Sequence, residues 1–393
     1  MNLRPLLLLI PMGAFAQDDP WDDGEWDDDW GEEEQGLVWS GFAEVGFGTR
    51  FSADPLLDER NTLEDLRWRV ETDWQTDDIT VGFKGDLLYD GIENGWDADI
   101  RDLTIAFPVG DSVDVKVGRQ VQTWGTGDLV FLNDLFPKDF VSFFAGRDDE
   151  YLKAPGNAAR VTWFTDVVNV DIVWTPVFEP DTYINGERFS FYSPAAGGNI
   201  APRPPFKADE PTEKFSNGEF ALRLHRTIES TELAFYAYRG FSKQPAFIRM
   251  NAYGASVRRP WGPGLFNFET SYYDSSDDND QARFLAGYEW EARRNFTVGL
   301  QYYVERYDEA SNLHWITNRL TYRAGRDKHT FSLFTFYSPS DNDFYLRPSY
   351  TYRHSDRWSF AAGGNVFGGS DNDTFFGQFE DASNAYVRLR FHY

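Results

Sequence analysis

Between Leu66 and Trp74 the chain alternates without a break: Leu66, Trp68, Val70, Thr72 and Trp74 interleave with Arg67, Arg69, Glu71 and Asp73. A period of two puts the two sets on opposite faces of an extended strand. One face is apolar and aromatic; the other carries charge of both signs. The preceding segment sets Trp39, Gly41, Ala43, Val45 and Phe47 against Ser40, Glu44 and Arg50. The following one sets Ile79, Val81, Phe83, Gly85, Leu87 and Tyr89 against Thr80, Lys84, Asp86 and Asp90. Later apolar sets include Leu233/Phe235/Ala237, Phe296/Val298/Leu300/Tyr302 and Trp358/Phe360/Ala362. A soluble sandwich alternates too, but its wet face does not need matched Arg, Lys, Glu and Asp on strand after strand. A closed barrel with lipid outside and water inside accounts for both faces.

The pattern predicts an all-β fold, a transmembrane antiparallel β-barrel of eighteen strands, with sixteen as the alternative count. The strands fall near 38–51, 62–75, 79–90, 99–107, 113–122, 159–165, 168–175, 218–227, 231–240, 250–258, 264–274, 281–291, 295–306, 313–323, 329–338, 343–354, 358–367 and 383–393. An even number returns the last strand to the side where the first began, and a barrel this wide encloses an aqueous lumen. Short turns at 293–295, 325–327 and 355–357 belong at the periplasmic end, and acidic stretches such as 275–280 and 370–373 belong outside. Pro348 is expected to interrupt its strand, because it cannot donate to a ladder. The alternation defines no subunit interface.

The ends of the chain agree with this reading. In the last strand Ala385, Val387, Leu389, Phe391 and Tyr393 face outer-membrane lipid, while Asn384, Tyr386, Arg388, Arg390 and His392 face inward. With its aromatic residues Phe391 and Tyr393, this segment resembles the C-terminal signal of outer-membrane barrels, which implies handling by periplasmic chaperones and the barrel-assembly machinery. Residues 1–16 read as a signal peptide: Arg4 precedes the apolar run Leu6 to Ile10, and Ala14-Phe15-Ala16 forms the small-x-small cleavage site. Residues 17–36 hold eleven carboxylates, no cation, and Trp21, Trp26 and Trp30. Such a segment is expected to be disordered alone. It is either a solvated periplasmic tether or a Trp-bearing motif for a periplasmic partner. The barrel is expected over 37–393.

Composition narrows the function. Aromatics are 18% of the chain, suiting the girdles of a membrane barrel. A net charge of −27 excludes nucleic acid as a partner, since binding it requires cations that displace counterions. No cysteine is present, so disulfides and thiolate metal sites are excluded. The five histidines, His225, His314, His329, His354 and His392, are dispersed, with no motif joining any to a nucleophile. No phosphate loop or metal-ligand cluster is evident, so neither a cofactor nor enzymatic activity is expected.

Two connections are much longer than the rest, 123–157 and 176–217, and long loops in a compact fold are usually functional. The first is expected to fold inward. Trp124, Asp128, Asn133, Asp134, Lys138 and Asp139 would then meet lumen charges such as Arg67, Arg69, Lys84 and Arg101. These residues either pin the loop to the wall or build a constriction that selects what passes. Phe131, Phe136, Phe140, Phe143 and Phe144 suggest a loop packed on itself or a path for an amphipathic solute.

The same region carries a resemblance. Gly118-Arg119-Gln120, Trp124-Gly125, Asp128, Asn133-Asp134, Phe136-Pro137-Lys138-Asp139, Lys153-Ala154-Pro155 and Trp174-Thr175-Pro176-Val177-Phe178 resemble a group of porin-like outer-membrane β-barrels. Members are often encoded beside RND-type exporters and periplasmic lipid-carrier-like proteins, and some are loosely similar to alginate-export porins. The resemblance implies a porin or export channel. The alternative is a non-conducting barrel that anchors periplasmic partners or receives their cargo. The group has no settled binding residues to carry over.

Overall fold

A computed structural model describes residues 37–277, 279–307 and 311–393. The predicted signal peptide and acidic segment, over 1–36, lie outside the described residues.

Eighteen antiparallel strands form one closed sheet. The first seven are β1 (Val38–Arg50), β2 (Asn61–Gln75), β3 (Thr80–Asp90), β4 (Gly95–Val109), β5 (Val113–Val121), β6 (Pro155–Trp163) and β7 (Asn169–Thr175). A small hairpin, β8 (Phe191–Ser193) and β9 (Gly198–Ile200), lies in the second long connection. The wall resumes with β10 (Glu219–Ile228), β11 (Thr231–Phe241), β12 (Arg249–Trp261), β13 (Gly264–Ser275), β14 (Gln281–Arg293) and β15 (Phe296–Tyr307). It ends with β16 (Leu313–Ala324), β17 (His329–Ser338), β18 (Asp343–Arg353), β19 (Trp358–Gly369) and β20 (Asn384–His392). Each strand pairs with the next, and β20 closes on β1 with Phe42 opposite His392 and Arg50 opposite Asn384.

The alternation read from the sequence is the inside and outside of this wall. On β2, Trp68 is 55% exposed whereas Arg69 is 2% exposed. Phe47, Val45, Leu87, Phe235, Leu300, Val387 and Leu389 also point out. The tight turn after β16 places Arg326 and Asp327 at positive φ, the geometry that matches the twist of flanking strands.

Two strands are longer or shifted relative to the pattern. β4 starts at Gly95 rather than near 99, and β6 starts at Pro155 rather than near 159. The β3–β4 ladder shifts register between Lys84 and Gly85, so a single alternation cannot be followed along β4. Pro348 does not interrupt its strand. β18 runs through it, pairing Pro348 with Leu333 of β17. The β19 side bears the cost, because that ladder has no pair between Leu346↔Val366 and Ser349↔Gly363.

The apolar core sits in the lumen. Its largest cluster joins inward residues of β14 to β20 (Leu285, Tyr303, Phe334, Phe336, Tyr345, Phe367, Tyr386) to Phe143 and Phe144 from the first long connection, Phe189 from the second and Phe376 from the last.

Candidate functional site

The first long connection, between β5 and β6, crosses the lumen and is tied to the wall at many points. Its departure is prepared by Gly118, which has φ +133; a Cβ there would lie 2.1 Å from the Leu103 carbonyl oxygen, so only glycine fits. Trp124 then packs edge-on to Phe136, with ring centroids 5.1 Å apart. Both rings lie on a sector of wall lined by Ala158, Val173, Ala221, Ala234 and Ala252. Small inward side chains there leave room for the loop.

Glu269 of β13 is the first anchor. Fully buried, it accepts hydrogen bonds from the Thr126 amide (2.6 Å), the Thr126 hydroxyl (3.0 Å), the Asn133 amide (3.0 Å) and Asn133 Nδ2 (2.8 Å). Both of its oxygens thus go to the loop. Asn133 lies so close to β12 that a Cβ at Gly254 would be 1.8 Å from its Oδ1. Asp128 makes a two-pronged contact with Arg319 of β16, at 2.5 and 2.8 Å.

The middle of the loop is held by its own residues. Lys138 Nζ donates to Asp134 Oδ1 (2.9 Å) and to the Phe136 carbonyl (2.7 Å), and Thr123 donates to Asp134 Oδ2 (2.8 Å). Asp139 caps the short helix α1 (Phe140–Ala145), accepting from the Ser142 amide at 2.8 Å. Asp134 and Asp139 thus meet none of Arg67, Arg69, Lys84 and Arg101. Lys84 stays on the wall, paired with Glu71 at 3.0 Å.

Beyond α1 the loop meets wall charges in quick succession. Arg147 pairs with Asp65 (2.7 Å) and Asp90 (2.7 Å). Asp148 accepts from Arg388 (3.1 Å) and Arg390 (3.2 Å) of β20, and Arg390 also holds Glu44 of β1 (2.8 Å). Burial alone would push the Asp148 carboxyl up, but the two guanidiniums outweigh it and hold it well below the usual carboxylate range. Asp149 pairs with Arg347. Glu150 takes Arg69 at 2.6 Å.

Tyr151 ends the series. Its hydroxyl donates to Asp86 (2.8 Å) and accepts from Arg69 (2.6 Å), and its ring lies 4.0 Å from the Arg67 guanidinium and 4.7 Å from that of Arg101. Burial pushes the phenol up, so it stays protonated and able to donate. Arg101 also donates to the carbonyls of Glu150 (3.1 Å) and Lys153 (2.8 Å). Arg67, Arg69 and Arg101 therefore do meet the loop, but through residues 150–153 rather than through the carboxylates singled out before α1.

The second connection lies against the first. The Lys138 amide donates to Asp181 (2.7 Å), the Phe140 amide to the Thr182 carbonyl (3.1 Å), and Arg188 pairs with Asp90. Of the candidate carboxylates, Asp134 is 5% exposed and Asp139 is half-buried, whereas Asp128 keeps 41% of its side chain accessible.

A closed antiparallel barrel with a lipid-facing apolar belt and an inward loop is an integral outer-membrane β-barrel with a porin fold. No protein-family model matches the sequence, and no curated protein sequence matches it. Among solved structures, the fold is similar to that of OccAB3 of Acinetobacter baumannii, at 10% identity over 90% of this chain and 98% of that one, with a TM-score of 0.56. It is also similar to OccD3 (OpdP) of Pseudomonas aeruginosa, at 10% identity over 91% of each chain, with a TM-score of 0.57. These neighbours are outer-membrane porins, and at such identity the likeness is one of fold.

Proposed function

We propose that this barrel passes solutes across the outer membrane, with the 122–154 loop as the constriction that selects them. The observation that carries this reading is the ring of contacts, on β2, β3, β4, β13, β16, β18 and β20, that holds the loop across the lumen. A constriction must keep its shape while solute passes, and such ties supply that rigidity. On the periplasmic side of the loop the inward charges sort by sector. β18 and β20 carry Arg353, Arg388 and Arg390, the latter two paired with Glu44 and Asp148, whereas β2, β4 and β5 carry Glu71, Asp73, Asp102 and Asp114, offset only in part by Lys84 and Lys116. Adjoining sectors of unlike charge suit a small dipolar or anionic solute, whose groups they would orient during passage.

Conductance of the purified protein in planar bilayers tests this. Discrete single-channel steps are expected, and their absence from inserted, folded protein would overturn it. The second reading is a barrel that does not conduct and receives apolar cargo from periplasmic partners, in the manner of a system linked to an RND-type exporter. The lumen-spanning aromatic cluster favours it. Its partners would dock through residues 17–36, and it predicts no steps but retention of an apolar fluorescent probe. In either case Phe391 and Tyr393 would serve recognition by the assembly machinery.

A further inference from the structure

Round the periplasmic rim the turns change sign. Those after β2, β4 and β6, over 76–79, 110–112 and 164–168, carry Asp77, Asp78, Asp111 and Asp166 and no cation. Those after β14, β16 and β18, over 293–295, 325–328 and 354–357, carry Arg293, Arg294, Arg326, Lys328 and Arg357 against Asp327 and Asp356. All five cations are exposed, and none has an ion-pair partner among the described residues. The lumen is the contrast, because its buried guanidiniums are matched by carboxylates.

Directly above these basic turns the lipid-facing surface sinks into an apolar groove of about 510 Å³, lined by Leu320, Phe331, Leu333, Pro348, Tyr350 and Ala362. Its floor is the sheet itself. Ser332, Ser349 and Gly363, which alternate with outward residues, also line it, where the β18–β19 ladder lacks pairs beside Pro348. The depression follows from the short side chains of Pro348 and Ala362 between large rings. Tyr322, Phe331 and Tyr350 stack in a row at its periplasmic end, with successive ring centroids 6.3 and 4.7 Å apart, and hold that rim in place.

We propose that this sector holds one anionic phospholipid of the periplasmic leaflet, an acyl chain in the groove and its phosphate among the cations of the turns. Each half of the site matches the half of the molecule that lies at its depth. The groove offers a chain contact on several sides, where a flat wall offers it on one. Unpaired cations at the membrane surface attract an anionic headgroup and do not favour a zwitterionic one to the same degree. A second copy of the barrel docked here about an axis along the membrane normal would set these cations against their own counterparts. The charge therefore favours lipid over a copy of the chain. The site rests on the outer wall alone and is the same whichever solute the bore passes.

Native mass spectrometry tests this, on barrel in detergent mixed with equal amounts of phosphatidylglycerol and phosphatidylethanolamine. The unaltered barrel is expected to keep one phosphatidylglycerol, about tenfold more often than phosphatidylethanolamine. Ala362→Phe fills the groove and should lower retention of both lipids severalfold. Val117→Phe, on the outward face of β5 across the barrel, should not. Arg293→Gln, Arg294→Gln, Arg326→Gln, Lys328→Gln and Arg357→Gln together should abolish the preference for the anionic lipid in a folded, heat-modifiable barrel. Should Ala362→Phe fail to assemble, this last variant, confined to exposed turns, decides. Equal retention of the two lipids by the unaltered barrel, no greater loss in Ala362→Phe than in Val117→Phe, or a preference that survives the five Gln substitutions would each overturn the proposal.

Discussion

At the scale of single residues the interior is organised around a few shared carboxylates. Asp86 accepts from Arg67 (2.8 Å), from Arg69 (2.6 and 2.8 Å) and from Tyr151 (2.8 Å). Its replacement by Ala would leave two buried guanidiniums facing each other, at a cost of about 3–5 kcal/mol. Urea unfolding in lipid vesicles measures this, and a loss below that of the helix-cap variant Asp139→Ala, about 1 kcal/mol, would contradict the network. On the opposite face of the same sector, Val70→Arg should cost about 2–4 kcal/mol and Glu71→Val less; the reverse ranking would invert the inside and outside of β2. Asp148 supplies a pH prediction. Its carboxyl is held below the ordinary range, so its contribution is fully present above the ordinary carboxylate pKa and is lost only as pH falls through the lower, folded-state value. Channel properties set by the loop should thus be unchanged from pH 7 to about pH 5, whereas Asp148→Asn should alter them at pH 7. Of this network, Arg67, Arg69, Asp86 and Arg390 were legible as inward charges because period two dictates a face. Their partners were not, because the pattern along a strand carries no information about which loop residue arrives from across the lumen.

At the scale of elements, the wall was almost wholly readable and the loops were not. Eighteen strands were expected and eighteen form the barrel. The boundaries that moved, at β4 and β6, lie where a register shift breaks the alternation and where the strand opens on Pro155-Gly156 without an apolar residue to mark the outer face. The hairpin β8–β9 and helix α1 are three to six residues each, too short for any periodicity to show. The five phenylalanines hinted at packing, and they do pack: Phe144 alone meets Phe367, Phe379, Phe189 and Tyr345. Replacing 131–146 with a short Gly/Ser linker removes α1 but leaves every wall strand. Conductance should rise severalfold with assembly intact. An unaltered conductance from inserted protein would mean that the loop does not limit passage.

At the scale of the whole molecule, charge is divided between sectors, and this predicts how selectivity responds to salt. Arg353→Glu, on the arginine side and exposed near the periplasmic mouth, should move the reversal potential in a salt gradient towards cations. The shift should fade near 1 M salt, where screening acts over about 3 Å; a shift independent of salt would place Arg353 outside the conduction path. The same division bears on the seam where the two ends of the barrel meet. Asp148 grips Arg388 and Arg390 of β20, while Glu44 of β1 grips Arg390 from the neighbouring strand. The segment that narrows the bore is therefore also a clasp across the junction that joins strands from opposite ends of the chain. While that clasp holds, a sideways exit into the bilayer between β1 and β20 is shut, and whatever enters the bore must leave along its axis.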